Sequence, residues 1–145
     1  MGSALQPALF LDRDGVLNAD KGFVARVADF EWMPGAVECV RRFNEMGYLV
    51  IVVTNQTGVA YGLYTEADIA AVHEHMLAAL AQAGAHIDRI YECCWHPAAT
   101  LPQYRRDSDL RKPRPGMLLQ AMEDFPIDKA RSFLIGDKQS DLDAA

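Results

Sequence analysis

The chain has 145 residues, 14 Lys and Arg against 20 Asp and Glu, a formal net charge of −6, and half of its residues are hydrophobic. This length suits one domain over residues 5–145, while the acidic balance and the want of any basic block argue against a nucleic-acid or membrane surface, both of which are held by accumulated positive charge. Three cysteines, two of them adjacent at Cys93 and Cys94, make no disulfide framework; with no charged leader and no apolar run near the roughly 18–20 residues of a spanning helix, a cytoplasmic protein is expected.

Ala8–Leu11 reads as a short buried strand running into Asp12-Arg13-Asp14-Gly15-Val16. Residues 18–34, polar and rich in glycine and aromatics, read as a loop with a small hairpin. Pro34-Gly35 opens a helix with Val37, Val40, Phe43 and Met46 at helical spacing, closed by Gly47. Residues 48–53 form a continuous β-branched run, the pattern of a parallel strand covered on both faces, ending in Thr54-Asn55-Gln56. Residues 56–64 read as a loop. Thr65 with Asp68 reads as a capping box for an alanine-rich helix to about residue 83, whose stripe Ile69, Val72, Met76 and Leu80 belongs to the core. A third strand over 87–93, a proline-rich loop over 97–115, a helix from 116 to about 125 and a fourth strand over 132–135 follow. Strand, loop and helix alternate throughout, so the expected fold is α/β: an open, mostly parallel sheet with helices on both faces and ligand loops at the carboxyl ends of its strands. Ala145 comes only a few residues into the helix expected after Asp141. Such sheets commonly continue into a fifth strand, so the chain reads as part of a longer product or as a compact variant lacking its C-terminal edge strand.

Four clusters carry the chemistry, three at strand ends and one in the loop before a helix. Asp12 and Asp14 lie two apart after the first strand, with Gly15 permitting a tight turn. A carboxylate attacks phosphorus when a cation neutralises it and the phosphoryl oxygens, which suits Asp12 as nucleophile and metal ligand and Asp14 as the acid and base. The plain alternative is a solvated polar turn. Thr54 and Asn55 can hold phosphoryl oxygens and orient substrate, or merely shape a turn. In Arg111-Lys112-Pro113-Arg114-Pro115, Lys112 supplies a compact charge to the aspartate and phosphoryl group, and the Arg111 fork suits a second anionic or hydroxyl-rich part of the substrate; a solvated basic loop is the alternative. Asp137 follows the last strand as a magnesium ligand, with Asp141 one turn later to support its shell or coordinated waters and Lys138 to balance their charge. Hard oxygen ligands favour Mg²⁺ over zinc. Asp141 reads equally well as a solvent-facing first-turn residue favoured by the helix dipole.

In order, Asp12-x-Asp14-Gly15-Val16, Thr54, Lys112 and Gly136-Asp137-x-x-x-Asp141 resemble the four motifs of the haloacid dehalogenase (HAD) superfamily of phosphatases, over nearly the whole chain. Phe10-Leu11-Asp12-Arg13-Asp14-Gly15, Val53-Thr54-Asn55-Gln56-Thr57-Gly58 and Arg111-Lys112-Pro113-Arg114-Pro115-Gly116 are similar to its branch of histidinol phosphatases and D-glycero-D-manno-heptose 1,7-bisphosphate phosphatases, more to the heptose side. The resemblance implies a capless, HAD-like Rossmannoid phosphatase dependent on Mg²⁺, a small phosphorylated sugar as partner, and a monomer. It implies Asp12, Asp14 and Lys112 as catalytic, Thr54, Asn55 and Arg111 as substrate contacts, and Asp12, the Asp14 carbonyl and Asp137 on magnesium; Lys138 joins the substrate contacts on its own position beside Asp137. The alternatives are histidinol phosphate or another small phosphate ester as substrate, and a phosphate-binding scaffold without catalysis. Branch members usually carry a structural zinc before the lysine. Here Cys93, His96, Asp107 and Asp109 are the available donors, a poor tetrahedral set, and structural zinc is not expected. His73 and His75, two apart on one helix, read as solvated or interfacial.

Overall fold

The computed structural model describes residues 5–136 and 138–145. Four strands form one parallel sheet in the order β3-β2-β1-β4: β1 is Ala8–Leu11, β2 Leu49–Asn55, β3 Arg89–Cys93 and β4 Phe133–Ile135. The helices are α1 (Ala36–Glu45), α2 (Thr57–Ala60), α3 (Glu66–Gln82), α4 (Gly116–Asp124) and α5 (Gln139–Ala144). Among the described residues, no helix is long and apolar enough to cross a membrane.

The two most apolar runs take the two central places. Alternate residues of β1 and β2 then face opposite cores. Ala8, Phe10, Leu49, Ile51 and Val53 pack with Met117, Leu118 and Ala121 of α4, whereas Leu9, Leu11, Val50 and Val52 pack with Val40 of α1 and Met76 and Leu80 of α3. Each fully buried leucine contributes roughly 1.5–3 kcal/mol, so truncating Leu9 to Ala would cost about 2–5 kcal/mol once its cavity is included.

Helix ends follow from local chemistry. Thr65 and Asp68 exchange side-chain-to-backbone bonds of 3.2 and 2.8 Å at the start of α3. Helix α1 closes on Gly47, at φ +81°: its N–H reaches the Asn44 carbonyl, while Tyr48 N–H reaches that of Phe43, the paired bonds of a Schellman end.

The departures from the sequence reading are local. Residues 18–34 form no full hairpin; one antiparallel bridge, Asn18 to Trp32, closes them around a 3₁₀ turn at Val27–Asp29. The 56–64 segment contains α2, whose small residues Gly58 and Ala60 are buried. Strand β3 begins two residues later than expected, because the Asp88 carboxylate takes the bond from Val50 N–H at 2.8 Å. At β4 the Ser132 hydroxyl likewise takes the bond from Ala8 N–H at 2.9 Å, so the strand starts at Phe133.

Candidate active site

The carboxyl ends of β1 and β2 converge with the loop before α4 and with α5. Lys112 stands at the centre, almost fully buried. Its ammonium has three donors and meets three acceptors: the Val53 carbonyl at 3.1 Å, Asp12 Oδ1 at 3.1 Å, and the Asp141 carboxylate in a very short contact. Asp141, which the sequence left open as a surface residue, has no exposure at all. Gly136 makes room for it, since a Cβ there would overlap the Asp141 side chain. Burial pushes the Asp12 carboxyl above its ordinary range; Lys112 opposes that shift and Asp141 adds to it.

Asp14 sits opposite, held from three directions. Its Oδ1 accepts from Arg13 Nη2 at 2.9 Å, Arg13 Nε at 3.2 Å and Asn18 Nδ2 at 3.0 Å, and its Oδ2 accepts from Gln56 Nε2 at 3.3 Å. Arg13 is completely buried, and its guanidinium also donates to the Val24 carbonyl at 2.8 Å and to His73 Nε2 at 3.3 Å. A guanidinium can only donate, so Nε2 is the acceptor and the His73 proton is assigned to Nδ1, which faces Glu92 Oε2 at 3.7 Å. Burial first, and Arg13 second, push His73 down to about 4; burial raises Glu92. His73 is therefore an internal residue, against the solvated or interfacial role expected of it. A lone histidine on a helix does not reveal a partner sixty residues away.

Thr54 is buried, its Oγ1 accepting at 3.0 Å from the same Gln56 Nε2 that reaches Asp14. The Asn55 amide is engaged on the Lys112 backbone in both directions, at 3.1 Å each way. Together with Asp14, Gln56, Arg111, Lys112 and Lys138, Asn55 lines a cavity of about 340 Å³, which the side chain of Phe23 borders; this volume suits a small molecule. Arg111 reaches it through a 2.7 Å bond to Thr57 Oγ1, and Lys138 lies 3.9 Å from Asp20. Arg114 is turned away, paired with Asp107 at 2.9 Å and Asp109 at 3.1 Å. Gln56, Tyr64 and Arg13 are site residues that the sequence reading passed over. Arg13 and Gln56 stand inside motifs that assign them no role, and Tyr64 ends the 56–64 loop that follows one.

The donors at this edge suit a hard cation. Three backbone N–H groups crowd onto the Arg13 carbonyl, whereas among the described residues none is donated to the Asp14 carbonyl, leaving it available beside Asp12. The third expected ligand, Asp137, lies outside the described residues. The four donors considered for zinc do not converge: Cys93 Sγ faces the Trp95 carbonyl at 3.8 Å, His96 Nδ1 accepts from Ala98 N–H at 2.9 Å, and both aspartates are on Arg114. Among the described residues, no three His, Cys, Asp or Glu side chains form a metal cluster.

Residues 9–142 match the family model described as polynucleotide kinase 3 phosphatase. The chain is 45% identical over 139 residues to the D-glycero-beta-D-manno-heptose-1,7-bisphosphate 7-phosphatase of Photorhabdus laumondii, covering 96% of this chain and 74% of that protein. The chain belongs to the HAD phosphatases, on the heptose-bisphosphatase branch. Two solved structures superpose closely. A Mesorhizobium loti protein described as a HAD-like phosphatase aligns with a TM-score of 0.90 at 36% identity, over 99% of this chain and 71% of its own. The D,D-heptose 1,7-bisphosphate phosphatase of B. bronchiseptica, complexed with magnesium and phosphate, aligns at 0.87 and 34% identity, over 97% of this chain and 75% of its own. The parallel sheet expected from the sequence is the HAD phosphatase sheet.

Proposed function

We propose that this protein is a Mg²⁺-dependent cytoplasmic phosphatase that removes the 7-phosphate of D-glycero-D-manno-heptose 1,7-bisphosphate by way of an aspartyl-phosphate on Asp12. The observation that carries the reading is the buried Lys112 ammonium shared between Asp12 and Asp141 beside a cavity onto which Asp14 opens. Lys112 offsets part of the cost of burying the Asp12 carboxylate and, with the Arg13 N–H, occupies Oδ1, so attack on phosphorus falls to Oδ2. As the bond from phosphorus to the leaving oxygen breaks, Asp14 gives its proton to that oxygen. Asp14 then takes a proton from water, whose oxygen attacks the phosphorus and releases phosphate and the Asp12 carboxylate. Thr54 and Lys112 bind the phosphoryl oxygens. Asp12, the Asp14 carbonyl and Asp137 would hold Mg²⁺, which supplies charge neutralisation to nucleophile and phosphoryl group together.

The sugar assignment rests on the relatives' names and on the cavity's cations. Arg111 and Lys138 line it and favour a substrate with a second anionic group. Histidinol phosphate would bring a cationic amine to them. A polynucleotide, the substrate named by the family model, needs a basic track that a chain of net charge −6 does not offer. The test is kcat/KM with Mg²⁺ for the heptose bisphosphate in both anomers against histidinol phosphate. Preference for the bisphosphate is expected. A preference of more than about tenfold for histidinol phosphate, about 1.4 kcal/mol, would overturn the sugar while keeping the phosphatase. Absence of magnesium-dependent turnover on every phosphate ester would favour a scaffold that only binds phosphate.

A further inference from the structure

We propose that Gln56 and Tyr64 form a positioning pair that aims the Asp14 carboxyl and the Thr54 hydroxyl at the substrate together. The inference rests on the phosphatase reading above and adds two residues to it.

The Gln56 side chain is almost fully buried, and its amide is used at both ends. Tyr64 OH donates to Oε1 at 2.8 Å, and Nε2 places its two hydrogens on Thr54 Oγ1 at 3.0 Å and Asp14 Oδ2 at 3.3 Å. The reversed amide would set an oxygen against the Asp14 carboxylate, so charge and the Tyr64 donor select the same orientation. The consequence for Thr54 follows from proton count. A hydroxyl has one proton, and the Gln56 N–H already fills a lone pair. Among the described residues, the remaining partner is the Asn55 carbonyl at a long 3.5 Å, so the proton is available to a phosphoryl oxygen. For Asp14 the asymmetry is sharper: three donors from Arg13 and Asn18 saturate Oδ1, while Oδ2 carries only the longer Gln56 bond. Oδ2 is thus the oxygen that can carry and pass the proton, and Gln56 fixes where it points.

Gly58 supports the arrangement independently. A Cβ at this position would overlap the Tyr64 ring, so helix α2 leaves open the space that brings the hydroxyl onto Gln56. Burial also raises Tyr64 to about 12, which keeps it a donor across working pH.

The test separates positioning from general structural support by leaving group. p-Nitrophenolate departs without a proton, whereas a sugar alkoxide requires one, so misplacing Asp14 should penalise the alkyl ester selectively in kcat/KM. For Tyr64→Phe we expect kcat on the heptose bisphosphate to fall about tenfold with KM within about twofold. For Gln56→Ala we expect a fall of about a hundredfold in kcat/KM on the alkyl ester and less than about tenfold on p-nitrophenyl phosphate. Gln56→Ala combined with Tyr64→Phe should be no worse than Gln56→Ala alone, because Tyr64 acts through the amide. Gly58→Ala should reproduce the Tyr64→Phe pattern. Equal losses on both esters, or no loss in Tyr64→Phe, would overturn the positioning pair while the parental enzyme remained a phosphatase. Should Gln56→Ala not fold, the kcat and KM of Tyr64→Phe, which keeps the ring, decide alone. If the parental enzyme turns over histidinol phosphate instead, that ester serves as the alkyl arm unchanged. A parental protein inactive on both ester classes would overturn the phosphatase reading itself, and the pair with it.

Discussion

Asn55 pairs with Lys112 as one strand pairs with another: its Nδ2 donates to the Lys112 carbonyl and its Oδ1 accepts the Lys112 N–H, both at 3.1 Å. A side-chain amide thereby continues the ladder of β2 into the loop and fixes the backbone from which the lysine reaches Asp12 and Asp141. Asn55→Ala removes both bonds, about 1–2 kcal/mol of stability and roughly tenfold or more in kcat as the ammonium drifts. Asn55→Asp keeps the acceptor but sets a carboxylate against the Lys112 carbonyl, and should be the worse of the two. Denaturant melts run beside kcat at saturating substrate would check this; parental kcat in both variants would show that the lysine is held without the amide.

Asp12→Asn should abolish turnover without harming the fold. The parental carboxyl is buried with Asp141 nearby, and its raised pKa means that the charged form carries a folding penalty above that pKa, one relieved as pH falls. The amide removes the penalty, while Lys112 keeps Asp141 and the Val53 carbonyl. The expected melting temperature at pH 7 is therefore equal to or above the parental one, with phosphate release at background. Asp14→Asn should lose about 10²- to 10⁴-fold, the range of a positioned acid and base.

Magnesium removal should stop catalysis and leave the domain folded. The apo site is already neutralised in part by Lys112, and the loop before it is tied by Arg114 to Asp107 and Asp109. Dialysis against EDTA is expected to preserve a cooperative melt. Adding Mg²⁺ back to about a hundred times its Kd should then raise stability by about 2.7 kcal/mol, and Asp12→Asn should lose most of that gain. Unfolding on chelation, with stoichiometric zinc by elemental analysis before it, would show a structural metal in the 93–114 loop.

What could be read beforehand was whatever depended on neighbours in sequence. Strands β1 and β2 announce themselves by unbroken apolar runs, α3 by Thr65 and Asp68 three apart, and the carboxylate-bearing edge by Asp12 and Asp14 placed just after β1. Features that need a distant partner stayed hidden. Asp141 reads equally as a support of the metal site and as a surface first-turn acid until Lys112, 29 residues away, is found beside it. Gln56 looks like a turn residue until Tyr64 and Asp14 claim its amide, and α2 escapes notice because Gly58, a poor helix former, is there to admit the Tyr64 ring. His73 belongs to the same class, since its helix neighbours say nothing of Arg13.

That histidine gives the chain an acid sensitivity of known sign. In the folded protein His73 accepts from Arg13 and titrates at about 4, whereas in the unfolded chain it returns to its ordinary 6.5. Between those values the unfolded state binds the extra proton, so stability is level above pH 6.5 and falls as pH drops toward 4. From pH 7 to pH 5 the loss is about 2 kcal/mol, from roughly 1.5 pH units below the unfolded value at about 1.4 kcal/mol per unit. Glu92 works the other way, because its raised pKa lets the folded state gain a proton as pH falls. His73→Gln retains an acceptor for Arg13 but cannot titrate, and it leaves Glu92 in place. Subtracting its stability curve from the parental one therefore isolates the histidine. The difference should open by about 2 kcal/mol between pH 7 and pH 5 in denaturant titrations; parallel curves would mean that His73 is free to protonate in the folded protein and that its bond from Arg13 does not hold in solution.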